Sequence, residues 1–166
     1  NTHAMNDLSV PKRSVQATVH MPNGAARQFE LFLSEMAENH RGPEKPSDLL
    51  LRNSRFLPAK EWDSSFAVLN TDAILWMTVD ASVETQTESL SVEDLAASMS
   101  VSQDVDLTMS NGEVLKGTVV YLQPQGRQRL QDFLHDAPRF FVLRDGDRAH
   151  IVNVAHVAVV VPRSST

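Results

Sequence analysis

The chain has no cysteine, which excludes disulfides, thiolate zinc sites and a cysteine nucleophile. Its glycines number six and do not cluster, so no glycine-rich loop is present to cradle a phosphate. No segment reaches the roughly 18 consecutive apolar residues that a membrane-crossing helix needs, and the N-terminal region holds no apolar run of leader length. A soluble, cytoplasmic protein with no membrane partner is the expectation. Positive charge is also scarce. The net charge is −6 and the isoelectric point about 5.4, so bulk electrostatics oppose a polyanionic partner. Neither HExxH nor GxSxG occurs in the sequence. The sequence therefore offers no catalytic, cofactor-binding or metal-binding residue, and a non-enzymatic protein is expected.

What the chain does have is a hydrophobic content of 42%, enough for a core, and an internal repetition. Val105, Leu107 and Met109 alternate with Asp106, Thr108 and Ser110, the period of a half-buried strand. Asn111-Gly112 follows, a pair suited to a tight hairpin because both residues tolerate positive φ. A long β-branched stretch, 114–122, then carries Gly117, which suggests a bend. Earlier in the chain Val15, Ala17, Val19 and Met21 alternate in the same way, Pro22-Asn23-Gly24 turns, and Phe29, Leu31 and Leu33 return.

The correspondence runs on. Ser47-Asp48-Leu49-Leu50 matches Gln131-Asp132-Phe133-Leu134, Arg55-Phe56-Leu57 matches Arg139-Phe140-Phe141, and Val68-Leu69-Asn70 matches Ile151-Val152-Asn153. The offset is 88 at Met21 and Met109, 84 at Asp48 and Asp132, and 83 at Asn70 and Asn153. Slow drift of this kind is what short insertions and deletions leave in a duplicated unit.

The fold class expected is mainly β, with two repeated small β-barrel-like units and a short helix in the linker. The domains read as an N-terminal tail over 1–12, a first repeat over 13–80, a linker over 81–102 and a second repeat over 103–162. In the linker, Ser91-Val92-Glu93-Asp94 resembles a capping box, and Leu95 and Met99 then share one helical face. Leu130, Phe133 and Leu134 fall at helical spacing around 129–136, and Pro138 stops that excursion.

Five short strands with a bent second strand resemble the small barrels of Sm-like proteins. Gly117-Thr118-Val119, the block Asp132-Phe133-Leu134-His135 and Val152-Asn153 followed by Val157 carry the resemblance. It implies a barrel and, in that family, RNA binding. The chain departs from the family where Asn153-Val154 replaces the basic-residue–glycine pair of the RNA-binding loop, and in the insertion 123–129. The duplicated layout also resembles bacterial proteins with this repeat, for which the resemblance implies no activity. Gly126-Arg127-Gln128-Arg129 is similar to the arginine pair of PilZ domains, but the Asp-x-Ser-x-x-Gly segment that completes that motif is missing.

Candidate residues divide into two sets. Asp48, Asp132, Asn70 and Asn153 are repeat positions, and residues kept in both copies most simply serve the shared fold by capping turns. Arg55 and Arg139 each lie seven residues after one of the aspartates, a shared spacing that predicts an ion pair within each copy. Arg127, Arg129, Arg139, Arg144 and Arg148 are the candidate contacts for an anion or a nucleic acid. His150 and His156 are placed to face each other across a hairpin, with His135 or Asp136 as a third metal ligand, although hydrogen-bonded histidines are the simpler reading. Ser64, Ser65, Ser98, Ser100 and Ser102 read as loop or linker serines. Trp62 and Trp76 read as core or interface. The last apolar segments, Ile74–Met77 and Val157–Val161, place adjacent apolar residues on opposite faces of a strand, so both faces must be covered. A protein partner, either a second copy or another chain, is the leading expectation. RNA or nucleotide binding through the arginines of the second repeat is the alternative. No cofactor is expected.

Overall fold

A computed structural model describes residues 12–35, 43–52, 55–84, 98–124 and 130–163. The chain is mainly β. Its elements run β1 (Lys12–His20), β2 (Arg27–Ser34), α1 (Pro46–Arg52), β3 (Phe56–Glu61), β4 (Phe66–Asn70), β5 (Trp76–Asp80), β6 (Ser98–Met109), β7 (Val114–Pro124), α2 (Leu130–Asp136), β8 (Phe140–Asp145), β9 (Arg148–Asn153) and β10 (Val157–Pro162). Single 3₁₀ turns at Thr71–Ala73, Ala81–Val83 and Val154–His156 link or follow the short strands.

The strands form one ten-stranded antiparallel sheet in the order β10-β6-β7-β8-β9-β5-β1-β2-β3-β4. The sheet is not closed, so its two ends are open strands rather than the seams of two closed barrels. The strands of the first half stand in the order β4-β3-β2-β1-β5 and those of the second in the order β9-β8-β7-β6-β10. The two halves meet where β5 pairs with β9, with Trp76 opposite Val152, Met77 opposite Ile151 and Thr78 opposite His150.

Alternation builds two cores. Val15, Ala17 and Val19 of β1 face Phe29, Leu31 and Leu33 of β2 in the first. Val105, Leu107 and Met109 of β6 join Leu115, Val119 and Tyr121 of β7 in the second. The strands at the joint serve both. Met77 and Val79 of β5 lie in the first core, while Leu75 and Trp76 lie in the second. Phe140, Ala149 and Ile151 cross over from the second half into the first core, and α1 packs on β8. The expectation that Ile74–Met77 is covered on both faces is met inside the chain, since all four residues are buried.

Gly117 lies where β7 meets β8. A Cβ there would fall 2.3 Å from the Arg144 carbonyl oxygen, so only glycine allows this approach.

The tight hairpin expected at Asn111-Gly112 joins β6 to β7 through a three-residue loop. Met109 N–H donates to the Glu113 carbonyl at 2.8 Å and Gly112 N–H to the Met109 carbonyl at 2.8 Å. Only Gly112 takes positive φ there, at 91°. Ser98, Ser100 and Ser102 lie in β6, and Met99 is a strand residue, not part of a helix. β6 starts inside the expected linker because its long pairing with β7 runs back to Ser98 opposite Pro124. The capping-box segment 91–94 lies outside the described residues, as does the tail 1–11.

Candidate interaction surface

Asp48 and Asp132 occupy the first turns of α1 and α2. Asp48 Oδ2 accepts a hydrogen bond from Lys45 N–H at 2.9 Å, a capping arrangement at the helix start. Asn70 and Asn153 play matching parts. Each precedes a 3₁₀ turn and accepts at 3.0 Å from the amide two residues on, that of Asp72 and that of Ala155 respectively. Asn153 is buried and also donates through Nδ2 to the Ile74 carbonyl at 3.0 Å, tying the second half to the first.

The ion pair expected between Asp132 and Arg139 is corrected. Arg139 reaches across the joint to Asp72 at 2.6 Å and to Thr71 Oγ1 at 3.1 Å. The physical reason is the β5–β9 pairing, which brings the turn after β4 beside the start of β8. No sequence signal could have found Asp72, since it lies 67 residues from Arg139 in the chain. Arg55 is exposed beside β3.

Three of the five candidate anion contacts lie among the described residues. Arg127 and Arg129 lie outside the described residues. Arg139 is engaged by Asp72 at the joint. Arg144 sits in β8 opposite Ala149, and Arg148 in β9 stands opposite Asp145 on one side and Asp80 on the other. An open groove of about 720 Å³ passes Gln16, Thr18, Trp62, Asp80, Asp147 and Arg148. Its two acidic residues outnumber its one cation, and Asp80 is held below the usual carboxylate range by hydrogen bonds from Ser82.

The histidines do not face one another. His150 Nδ1 lies 2.8 Å from Thr78 Oγ1, and its Nε2 lies 3.3 Å from Asp145 Oδ2. His156 Nε2 lies 2.8 Å from the Asp72 carbonyl oxygen. His135 is exposed at the end of α2. Among the described residues, no three His, Asp or Glu side chains are grouped to hold a metal ion. His20 stacks on Trp76 with centroids 3.9 Å apart, and burial holds its imidazole below the usual histidine range. Trp76 is thus core, whereas Trp62 stands exposed at the tip of the β3–β4 hairpin.

Two buried carboxylates escaped the sequence reading. Glu44 accepts from Arg52 Nε at 2.8 Å and from Ser34 N–H at 3.0 Å. Glu84 accepts from Ser47 N–H at 2.7 Å and Ser47 Oγ at 2.8 Å. Both brace α1 against the sheet. Glu84 lies 37 residues from Ser47, and Glu44 lies 8 from Arg52 and 10 from Ser34, separations longer than a capping pattern spans.

Exposed apolar side chains lie on both end strands of the sheet. β4 and β10 are its outermost strands, and Phe66, Val68, Val159 and Val161 on them are exposed. Unlike Ile74–Met77, the segment Val157–Val161 is covered on one face only within the described chain: Val157 and Val160 pack against the second core, while Val159 and Val161 stand exposed. Beside β10, a groove of about 430 Å³ is lined by Leu130, Leu134 and His135 of α2 and by Val160 and Pro162. No helix among the described residues is long and apolar enough to cross a membrane. No family model, curated protein or solved structure matches the chain.

Proposed function

We propose that the protein is an interaction or scaffold module built from a duplicated β unit resembling an Sm-like barrel, and that it works through its open strand edges. The observation that carries this is that both outermost strands expose apolar side chains, Phe66 and Val68 on β4 and Val159 and Val161 on β10. An open edge offers a row of unpaired amides and carbonyls to another strand, and natural sheets blunt such edges with charge when they have no partner. Neither edge strand carries a charged side chain: β10 reads Val-Ala-Val-Val-Val-Pro and β4 reads Phe-Ala-Val-Leu-Asn. Contiguous exposed apolar surface marks an interaction site. The duplication is supported by the matching strand orders, the matching Asn turns and the matching aspartates in the short helices.

The test is site-specific photocrosslinking in cells producing the full chain. A crosslinking side chain at Val68 or Val161 is expected to give protein adducts, and one at Val114, equally exposed but at a hairpin end, is expected to give none. Adducts at Val114 as abundant as at the edges, or none at either edge, would sink the reading. RNA binding through the arginines is the competing outcome. It would show as RNA adducts near Arg144 and Arg148 and as binding that falls steeply with salt.

A further inference from the structure

Each half carries the same three surfaces, but in one pairing they are filled and in the other they are open. In the filled pairing, β5 of the first half receives β9. Above that ladder, Met77 and Val79 of β5 and Leu49 and Leu50 of α1 form a wall, and Phe140, Ala149 and Ile151 of β8 and β9 pack into it. The counterparts follow from the repeat offsets. At an offset of 83, β5 corresponds to β10, so Val160 stands where Met77 does and Pro162 where Val79 does. At an offset of 84, α1 corresponds to α2, so Leu134 stands where Leu50 does. Those residues line the groove of about 430 Å³ beside β10. The second half therefore has the receiving wall and nothing described in it.

The inserting surface is repeated as well. Phe140, Ala149 and Ile151 correspond to Phe56, Phe66 and Val68. The first three are 1%, 1% and 0% exposed, and the second three are 54%, 72% and 52% exposed. The residues that fill the joint in one half thus stand in solvent in the other. They stand on β3 and β4, at the opposite end of the sheet from the empty groove. One chain cannot be both donor and acceptor across its own sheet, but two chains can.

Resting on the interaction-module reading, we infer that the occupant of the β10 edge is a second copy of this chain, docked head to tail. β4 of one copy extends the sheet at β10 of the next, and Phe56, Phe66 and Val68 enter the groove between α2 and β10. The internal register sets the external one. As Trp76, Met77 and Thr78 oppose Val152, Ile151 and His150, Val159, Val160 and Val161 oppose Leu69, Val68 and Ala67 of the second copy. Asn70 takes the part of Asn153, its side-chain amide donating to the Val157 carbonyl of the second copy as Asn153 does to Ile74.

Two differences set the character of the new joint. Ala155 stands where Asp72 does, so Arg55 meets no carboxylate in the place where Arg139 meets one. Pro162 has no N–H to give the ladder. The contact between chains is therefore apolar, weaker than the joint within the chain, and little affected by salt. Because the two surfaces differ, association is heterologous and makes a ring or an open chain of copies.

The experiment uses complementation on the full chain. One variant carries Phe66→Lys and Val68→Lys, and the other Val159→Lys and Val161→Lys. All four positions are exposed, and circular dichroism checks the fold of each variant. In native mass spectrometry and light scattering across a dilution series, the unaltered chain is expected as multiples that dissociate on dilution. Each variant alone is expected as a single chain. Mixed, they are expected to give a one-to-one pair, because each retains the end that the other lacks. An unaltered chain that is monomeric throughout, variants that self-associate like it, or a mixture that stays unpaired would each overturn the inference. Should a lysine pair fail to fold, a photocrosslinker at Phe66 in the unaltered background decides. Its adduct must map to α2 or β10 of a second copy. Adducts to a different protein would overturn self-association and leave the interaction-module reading standing, and no adducts would remove both.

Discussion

At the scale of single residues, two hairpins of identical build end differently. In the β6–β7 loop, Asn111 Oδ1 accepts from Glu113 N–H at 3.1 Å and Gly112 takes φ of 91°. In the β3–β4 loop, Asp63 Oδ1 accepts from Ser65 N–H at 3.0 Å, Ser64 N–H donates to the Glu61 carbonyl at 2.9 Å, and Ser64 takes φ of 69°. A side chain in this left-handed region costs roughly 1–2 kcal/mol, which glycine avoids while losing some of the gain to unfolded-state entropy. Ser64→Gly is therefore expected to stabilise the protein by about 0.5–1 kcal/mol, read as a rise of a few degrees in melting temperature. An unchanged or lowered melting temperature would show that the serine is not strained. The sequence made the aspartate and asparagine repeat positions legible because capping is local: each Asn satisfies the amide two residues on and Asp48 the amide three residues back. It hid the partners of Arg139 and Glu84, because those depend on which strands lie side by side, and the Arg52 partner of Glu44, because the helix between them sets that contact.

At the scale of elements, periodicity carried the strands well and missed where one of them begins. The alternation in β1 and β6 and the unbroken apolar run before and within β5 are consequences of one-faced and two-faced burial, so they show in the sequence. The start of β6 at Ser98 does not, because the serine-rich residues 98–102 owe their strand form to pairing with β7 rather than to their own preference. Helix α1 shows the same dependence. Seven residues make an unstable helix alone, and Glu84, from the turn after β5, holds its first turn through Ser47. Burial raises the Glu84 carboxyl above its ordinary value of 4.5, against the lowering effect of the Ser47 hydrogen bonds. A carboxyl whose folded pKa lies above its unfolded one binds its proton more tightly in the fold. Its stabilising contribution is complete below the unfolded value and is lost as pH rises through the folded one. Glu84→Gln keeps the shape and an acceptor for Ser47 without the buried charge. Its stability relative to the unaltered chain is therefore expected to improve as pH climbs from about 4.5 toward neutrality. Denaturant titrations of both proteins over that range check this. A difference that stays flat or runs the other way would place Glu84 as a net favourable charge at the helix start.

At the scale of the whole molecule, the open question is whether the two halves stand or fall together. Each holds its own strand order, which suggests two independent units, yet the residues at the joint are shared out crosswise. Ile151 belongs to a strand of the second half and is wholly buried in the first core, next in the chain to Val152, which lies in the second. Trp76 and Met77 divide in the same way from the other side. A half without its neighbour would expose Leu75, Trp76 and Met77 or Phe140, Ala149 and Ile151, a cost that a unit of some sixty to seventy residues is poorly placed to bear. Ile151→Ala removes buried methylene and methyl groups from the first core and is expected to cost about 2–5 kcal/mol. If the halves unfold as one body, that loss appears everywhere: amide exchange speeds up in β1 and β2 as much as in β6 and β7, although the altered residue lies in neither pair. A loss of protection confined to β8–β10 would show instead that the second half opens alone. The first half would then be a separately stable unit with a detachable partner, and β5, stripped of β9, would become a third open edge able to receive the β4 strand of another copy.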